Sequence, residues 1–196
     1  MRAFIHAGNG AGWPAVVADL GESAMRKPGR PGRAAAAAER DPGMAVEVGQ
    51  EAPDFELSDQ HGKPVRLSSL RGAKNVVLLF YPLAFSGVCS GELNALRDDF
   101  PEADRDDVEL LTVSVDSSYA HRVWADREGF GFELLSDFWP HGEVARRYGV
   151  FNEDRGIAVR GTFIIDKDGI VRWKVVNPTP QARDIADYQK ALAALG

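Results

Sequence analysis

Residues 74–100 read KNVVLLFYPLAFSGVCSGELNALRDDF. The first part, Lys74 to Pro82, is a continuous apolar run of the length and kind expected for a strand buried on both faces of a sheet. From Ser86 onward the spacing changes. Cys89, Leu93, Leu96 and Phe100 recur at helical intervals, so a helix is expected over 86–100. A buried strand, a short loop and a helix in this order predict an α/β domain, and they place Cys89 in the first turn of that helix.

Outward from this unit the same alternation continues. Before it, APDFELSDQHGKPVRLSSL alternates apolar and polar residues around a DQHG turn, which predicts a short hairpin. After it, VELLTVSV reads as a second buried strand. Ser117 or Ser118 is placed to cap a helix carrying Tyr119, Val123 and Trp124. Phe132–Leu135 predicts a short strand, and His141–Tyr148 a helix with Glu143 and Arg147 paired at i,i+4. GTFIID, KDG and IVRWKVV predict a closing hairpin. A last helix near Ala182–Leu195 has Ile185, Tyr188, Leu192 and Leu195 on one face. The expected architecture is a mixed central β-sheet flanked by helices, compatible with a thioredoxin-like fold.

Residues 1–43 differ in kind. They hold seven Gly, four Pro and eleven Ala, end in MRKPGRPGRAAAAAERDPG, and keep no period of 2 or 3.6. Such composition does not offset its ordering entropy, so a disordered tail or a misassigned start is expected, with the domain spanning 44–196. No continuous apolar segment follows Met1-Arg2, which argues against a secretory signal. GNGAG lacks the Lys and Ser/Thr of a phosphate loop.

The chain of 196 residues has 44% hydrophobic and 27% charged residues, ordinary for one globular domain. Its net charge of −6 argues against nucleic acid or an anionic membrane as the main partner. Residues 1–43 carry six Lys/Arg and four Asp/Glu, and the remainder 17 and 25, so the acidity belongs to the domain. Cys89 is the only cysteine, which excludes an internal disulfide and fits a reducing cytoplasm.

A lone cysteine commonly fills a core. Cys89 is placed for chemistry instead. The first helical turn carries unpaired backbone N–H groups and the positive end of the helix dipole, and both favour a thiolate. Pro82 offers a rigid wall with no competing donor, and the Ser86 hydroxyl can both donate and accept toward a hydroperoxide. Pro82 also reads as a strand terminator and Ser86 as a helix cap.

Pro82-x-x-x-Ser86-x-x-Cys89 resembles the peroxiredoxin motif P-x-x-x-[T/S]-x-x-C, with serine where threonine is commoner. APDFEL, SVDS and LLSDFWPHGEVARRYGVF are similar to other peroxiredoxin segments, so the resemblance covers residues 46 to about 195. PLAFSGVCSGEL and SDFWPHGEVARRYGVFN resemble the one-cysteine AhpE type. The resemblance implies a thiol peroxidase with Cys89 as nucleophile, passing through a sulfenic acid. It puts the distal arginine of the family on Arg160, which otherwise reads as a solvated edge-strand residue. The backbone N–H groups of Val88 and Cys89 are the expected substrate donors, beside Arg160 and Ser86.

The expected partners are hydrogen peroxide and organic hydroperoxides, and an external small thiol or a glutaredoxin- or thioredoxin-like reductant. The chain itself is expected as a homodimer, and no cofactor or metal is implied. A peroxide-sensing relay would use the same cysteine. His61, His121 and His141 lack metal-ligand spacing and read as surface or capping residues. Trp139 reads as packing, or else as lining the site or an interface, and Glu92 as favouring a helix N-terminus. Asp104, Asp106 and Asp107 read as a solvated acidic turn.

Overall fold

The computed structural model describes residues 45–195, without the side chains of Ala103 and Asp104. The reading of residues 1–43 lies outside the described residues. The predicted hairpin forms as β1 (Glu56–Ser58) and β2 (Pro64–Arg66), antiparallel with Leu57 opposite Val65. The apolar run is β3 (Asn75–Phe80), buried at all six positions. It lies parallel to β4 (Val108–Ser114), which lies parallel to β5 (Glu133–Ser136). The closing hairpin is β8 (Arg160–Ile165) and β9 (Val171–Asn177), with β8 antiparallel to β3. The resulting seven-stranded sheet has the order β2-β1-β5-β4-β3-β8-β9. This is the mixed sheet with flanking helices of a thioredoxin-like fold. A small hairpin, β6 (Phe151–Asn152) and β7 (Ile157–Ala158), escapes a reading by periodicity because each strand is only two residues long.

Helix α1 (Gly87–Asp99) buries Cys89, Leu93, Leu96 and, at its end, Phe100. It packs with α4 (Ile185–Ala193) against one face of the sheet, where Val77, Leu79 and Ile164 complete the core. α4 buries Tyr188 and Leu192, with Ile185 and Leu195 partly covered. The opposite face is closed by Phe55, Phe80, Tyr148 and Phe163, with α3 (Glu143–Arg147) supplying Val144 and Ala145. Glu143 and Arg147 pair at 3.6 Å, as their spacing predicts.

Helix α2 (Ser118–Glu128) is capped by Ser117, whose hydroxyl accepts from the Ala120 amide. Its faces differ from the sequence reading. Trp124 is buried, but Tyr119 and Val123 face outward and the buried partners are His121 and Ala125. Gly161, beside Arg160, sits so close to Val150 that a Cβ would lie 2.6 Å from its Cγ1, so this position in β8 requires glycine. Among the described residues no helix is long and apolar enough to cross a membrane.

Candidate active site

The carboxyl ends of the parallel strands β3 and β4 converge on the start of α1, where open α/β sheets place their ligands. Pro82 is buried just past β3. The chain then turns through Phe85, whose φ of 61° is left-handed. Outside glycine such a conformation costs about 1–2 kcal/mol and needs support from its surroundings. Ser86 is the N-cap of α1 in position, yet its hydroxyl donates back to the Leu83 carbonyl at 3.0 Å and not to the helix. The first backbone bond of the helix runs from Ser90 N–H to the Ser86 carbonyl at 2.8 Å. The amides of Val88 and Cys89 precede it, in the turn where no intrahelical acceptor exists. The Val88 side chain is exposed, while Cys89 is fully buried.

Arg160 is not solvated. It is buried at the start of β8 and its Nη1 lies 3.5 Å from Cys89 Sγ, across 71 residues of sequence. Its Nε donates to the Thr179 carbonyl at 2.5 Å, and Nη1 also donates to Glu92 Oε2. Glu92 therefore does more than favour a helix N-terminus. One turn beyond Cys89, its buried carboxylate lies between Arg160 and a second buried arginine, Arg183. Arg183 reaches Glu92 Oε1 through its amide at 2.8 Å and its Nε at 3.0 Å, and Glu92 Oε2 through Nη2 at 3.0 Å. Its Nη1 donates to the carbonyls of Phe80 and Gly161 and to the Thr162 hydroxyl. Two guanidiniums share one carboxylate, so the cluster carries one surplus positive charge beside Sγ. That charge is fixed in orientation and screened little, which suits it to an anion forming at the sulfur or at a bound oxygen.

The chain belongs to the AhpC/TSA family. The family's model matches residues 48–174. Alkyl hydroperoxide reductase E of Mycobacterium tuberculosis is 52% identical over 150 residues, covering 76% of this chain and 98% of that one. Among solved structures, peroxidoxin BcpB from Mycobacterium tuberculosis is similar with a TM-score of 0.66 and 35% identity, over 76% of this chain and 96% of that one. A reduced 2-Cys peroxiredoxin from Plasmodium vivax is similar with a TM-score of 0.69 and 32% identity, over 76% and 82%.

In this AhpC/TSA chain the geometry joins Cys89 to Arg160 and sets Pro82 and Ser86 in the loop before the helix. Ser86 Oγ faces Leu83 and has no bond to the sulfur. Two residues of the cluster carry signals of different strength. Glu92 lies at i+3 from Cys89 on an otherwise apolar stripe, a pattern visible in sequence. Arg183 lies in PQARDI, where no periodicity marks it.

His121 is fully buried, not a surface residue, because Tyr81, Ser114 and the Leu134 carbonyl satisfy its ring nitrogens. Burial pushes its pKa below the ordinary value. His141 is exposed and its Nε2 meets the Gly156 carbonyl at 2.7 Å. Trp139 is 81% exposed and does not pack in the core. Asp107 is bound by Arg105 and Lys167 at the surface. Among the described residues no group of His, Cys, Asp and Glu is arranged to hold a metal ion.

Proposed function

We propose that Cys89 is the peroxidatic nucleophile of a one-cysteine peroxidase, with Arg160, Ser86 and the amides of Val88 and Cys89 as donors to the peroxide and Pro82 as the wall of its site. The enzyme class follows from the family: the chain is a peroxiredoxin, a thiol-dependent peroxidase. The observation that carries the residue assignment is the approach of Arg160 Nη1 to Cys89 Sγ inside a buried cluster of surplus positive charge.

In the reaction the Cys89 thiolate attacks one peroxide oxygen. The S–O bond forms as the O–O bond breaks, and the electron pair leaves on the second oxygen, which takes up a proton as water or an alcohol. Cys89 becomes a sulfenic acid. Arg160 meets the charge that develops on the oxygens, and the first-turn amides are free to share it. A small thiol then displaces water from the sulfenic acid and forms a mixed disulfide. A second thiol, free or on a glutaredoxin- or thioredoxin-like protein, releases Cys89 by exchange. Hydrogen peroxide and organic hydroperoxides are the substrates. The lone cysteine fits a cytoplasmic enzyme. The chain is a homodimer in this reading, which sedimentation of the purified protein tests.

The deciding experiment is stopped-flow oxidation followed by intact-mass spectrometry. One equivalent of peroxide should add a single oxygen to Cys89, and turnover should wait for added thiol. A disulfide-linked dimer as the main product, or repeated turnover without thiol, refutes the scheme.

A further inference from the structure

Asp116 follows β4 by two residues, and its contacts run away from solvent. Its Oδ2 accepts from the Ala84 amide at 2.8 Å and from the Ser114 hydroxyl at 2.7 Å. Its own amide donates to Ser114 Oγ at 3.2 Å, and its carbonyl accepts from Ser136 Oγ at 2.7 Å. Ser114 is buried, with its hydroxyl 2.8 Å from His121 Nε2. The carboxylate is thus held by Ser114 at the end of β4, the backbone of Asp116 is held by Ser136 at the end of β5, and the same carboxylate oxygen is presented to the loop that precedes Cys89. That loop needs an anchor. Ala84 immediately precedes Phe85, the left-handed residue, and Phe85 immediately precedes the N-cap of α1.

We propose that Asp116, held by Ser114 and Ser136, is a positioning residue for peroxide reduction: it tethers Ala84 and so holds Phe85 in its left-handed turn and keeps Ser86 and the first turn of α1 in register with Arg160. Without the tether the turn relaxes, the hydroxyl and amides move from the path of the peroxide, and the seal over the buried sulfur opens. Displacements of about 1 Å in such groups lower rates by up to ~100-fold. The inference rests on Cys89 being the peroxidatic sulfur.

The test uses the full chain with Asp116→Ala and Asp116→Asn, at a temperature where circular dichroism shows all three proteins folded. Both variants remove the same charge, but the asparagine side-chain oxygen can still accept from Ala84. Asp116→Ala should slow oxidation of Cys89 by hydrogen peroxide ~10- to 100-fold. It should also speed alkylation of Cys89 by iodoacetamide, because the sulfur is fully buried in the wild type. Asp116→Asn should return both rates to within about threefold of wild type. A residue that only supports folding would lower the melting temperature and leave both rates in the folded protein unchanged. Wild-type rates in Asp116→Ala, or an asparagine variant as impaired as the alanine one, overturn the proposal. Slow peroxide oxidation of the wild type would remove the peroxidase reading instead, and the alkylation rates would still decide whether Asp116 secures the loop.

Discussion

Glu92, Arg160 and Arg183 meet through full charges, whereas Tyr81, Ser114 and His121 meet through hydroxyls and a ring nitrogen. Both groups are buried near the start of α1. The ionic cluster touches the Cys89 sulfur through Arg160 and holds its charge in place with every carboxylate oxygen occupied. The second group reaches the loop before Cys89 through Ser114, Asp116 and the Ala84 amide. The difference separates two uses of buried polarity. Charges that act on a transition state must be aimed and desolvated, and their loss appears in the rate. Hydrogen bonds that hold backbone tolerate neutral replacements, and their loss appears in stability and in the precision of the site.

Removing the sulfur tests the comparison at its limit. Cys89→Ser should abolish peroxide consumption, since a serine hydroxyl is not ionised near neutral pH, while both clusters remain and the fold stays intact by circular dichroism. Residual peroxidase activity in the purified variant would detach both clusters from the chemistry. Arg160→Met removes the cation that, among the described residues, contacts the sulfur, and should slow peroxide oxidation on the order of 100-fold, by the measure of a lost oxyanion donor. An unchanged stopped-flow rate would show that the surplus charge does not act on the peroxide.

Glu92→Gln should act mainly on stability. It leaves two buried guanidiniums facing each other without their shared anion, and breaking a buried pair in this way costs about 3–5 kcal/mol. Chemical denaturation measures this directly. A loss below about 1 kcal/mol would mean that water or a bound anion already neutralises the arginines.

What was legible in the sequence follows the same division. The strand, loop and helix around Cys89 are written in contiguous periodicity, and the motif Pro82, Ser86, Cys89 lies within eight residues. Arg160 became readable only through family resemblance, because nothing local distinguishes a buried arginine in VRGTFIID from an edge-strand one. Arg183 is not legible in sequence because its role depends on carbonyls from β3 and β8 that only the folded sheet brings together. The faces of α2 are illegible for a different reason. Its buried face carries a histidine and its outer face a tyrosine and a valine, so binary patterning pointed the wrong way. A histidine at i−3 and i−4 from Trp124 and Ala125 is the available signal, and it needs partners just past β3 and on β4 and β5 to be read as buried.

That histidine gives the smallest effect and the sharpest contrast with the ionic cluster. His121 Nδ1 faces the Leu134 carbonyl at 3.2 Å, so in the neutral ring Nδ1 carries the proton and Nε2 accepts. Tyr81, just past β3, donates to Nε2 at 3.0 Å, which leaves the Ser114 hydroxyl for Asp116. Burial lowers the His121 pKa, and the nearby charge of Asp116 and the Leu134 carbonyl oppose that shift only in part. A group whose folded-state value lies below its unfolded value of about 6.5 stabilises the fold above that pH. The contribution is lost as the pH falls through the lower folded-state value, with a slope of at most about 1.4 kcal/mol per pH unit. Asp137 shifts the opposite way: burial raises its pKa, so its contribution is present in acid and lost as the pH rises through the raised folded-state value. His121→Gln keeps a donor and an acceptor but cannot take up a proton. Both proteins share Asp137, so the difference between their melting curves isolates the histidine. From about pH 7 to about pH 5 the wild type should lose melting temperature more steeply than His121→Gln. Parallel curves would mean that His121 accepts its proton without cost, and the second cluster would then be as tolerant of charge as the first.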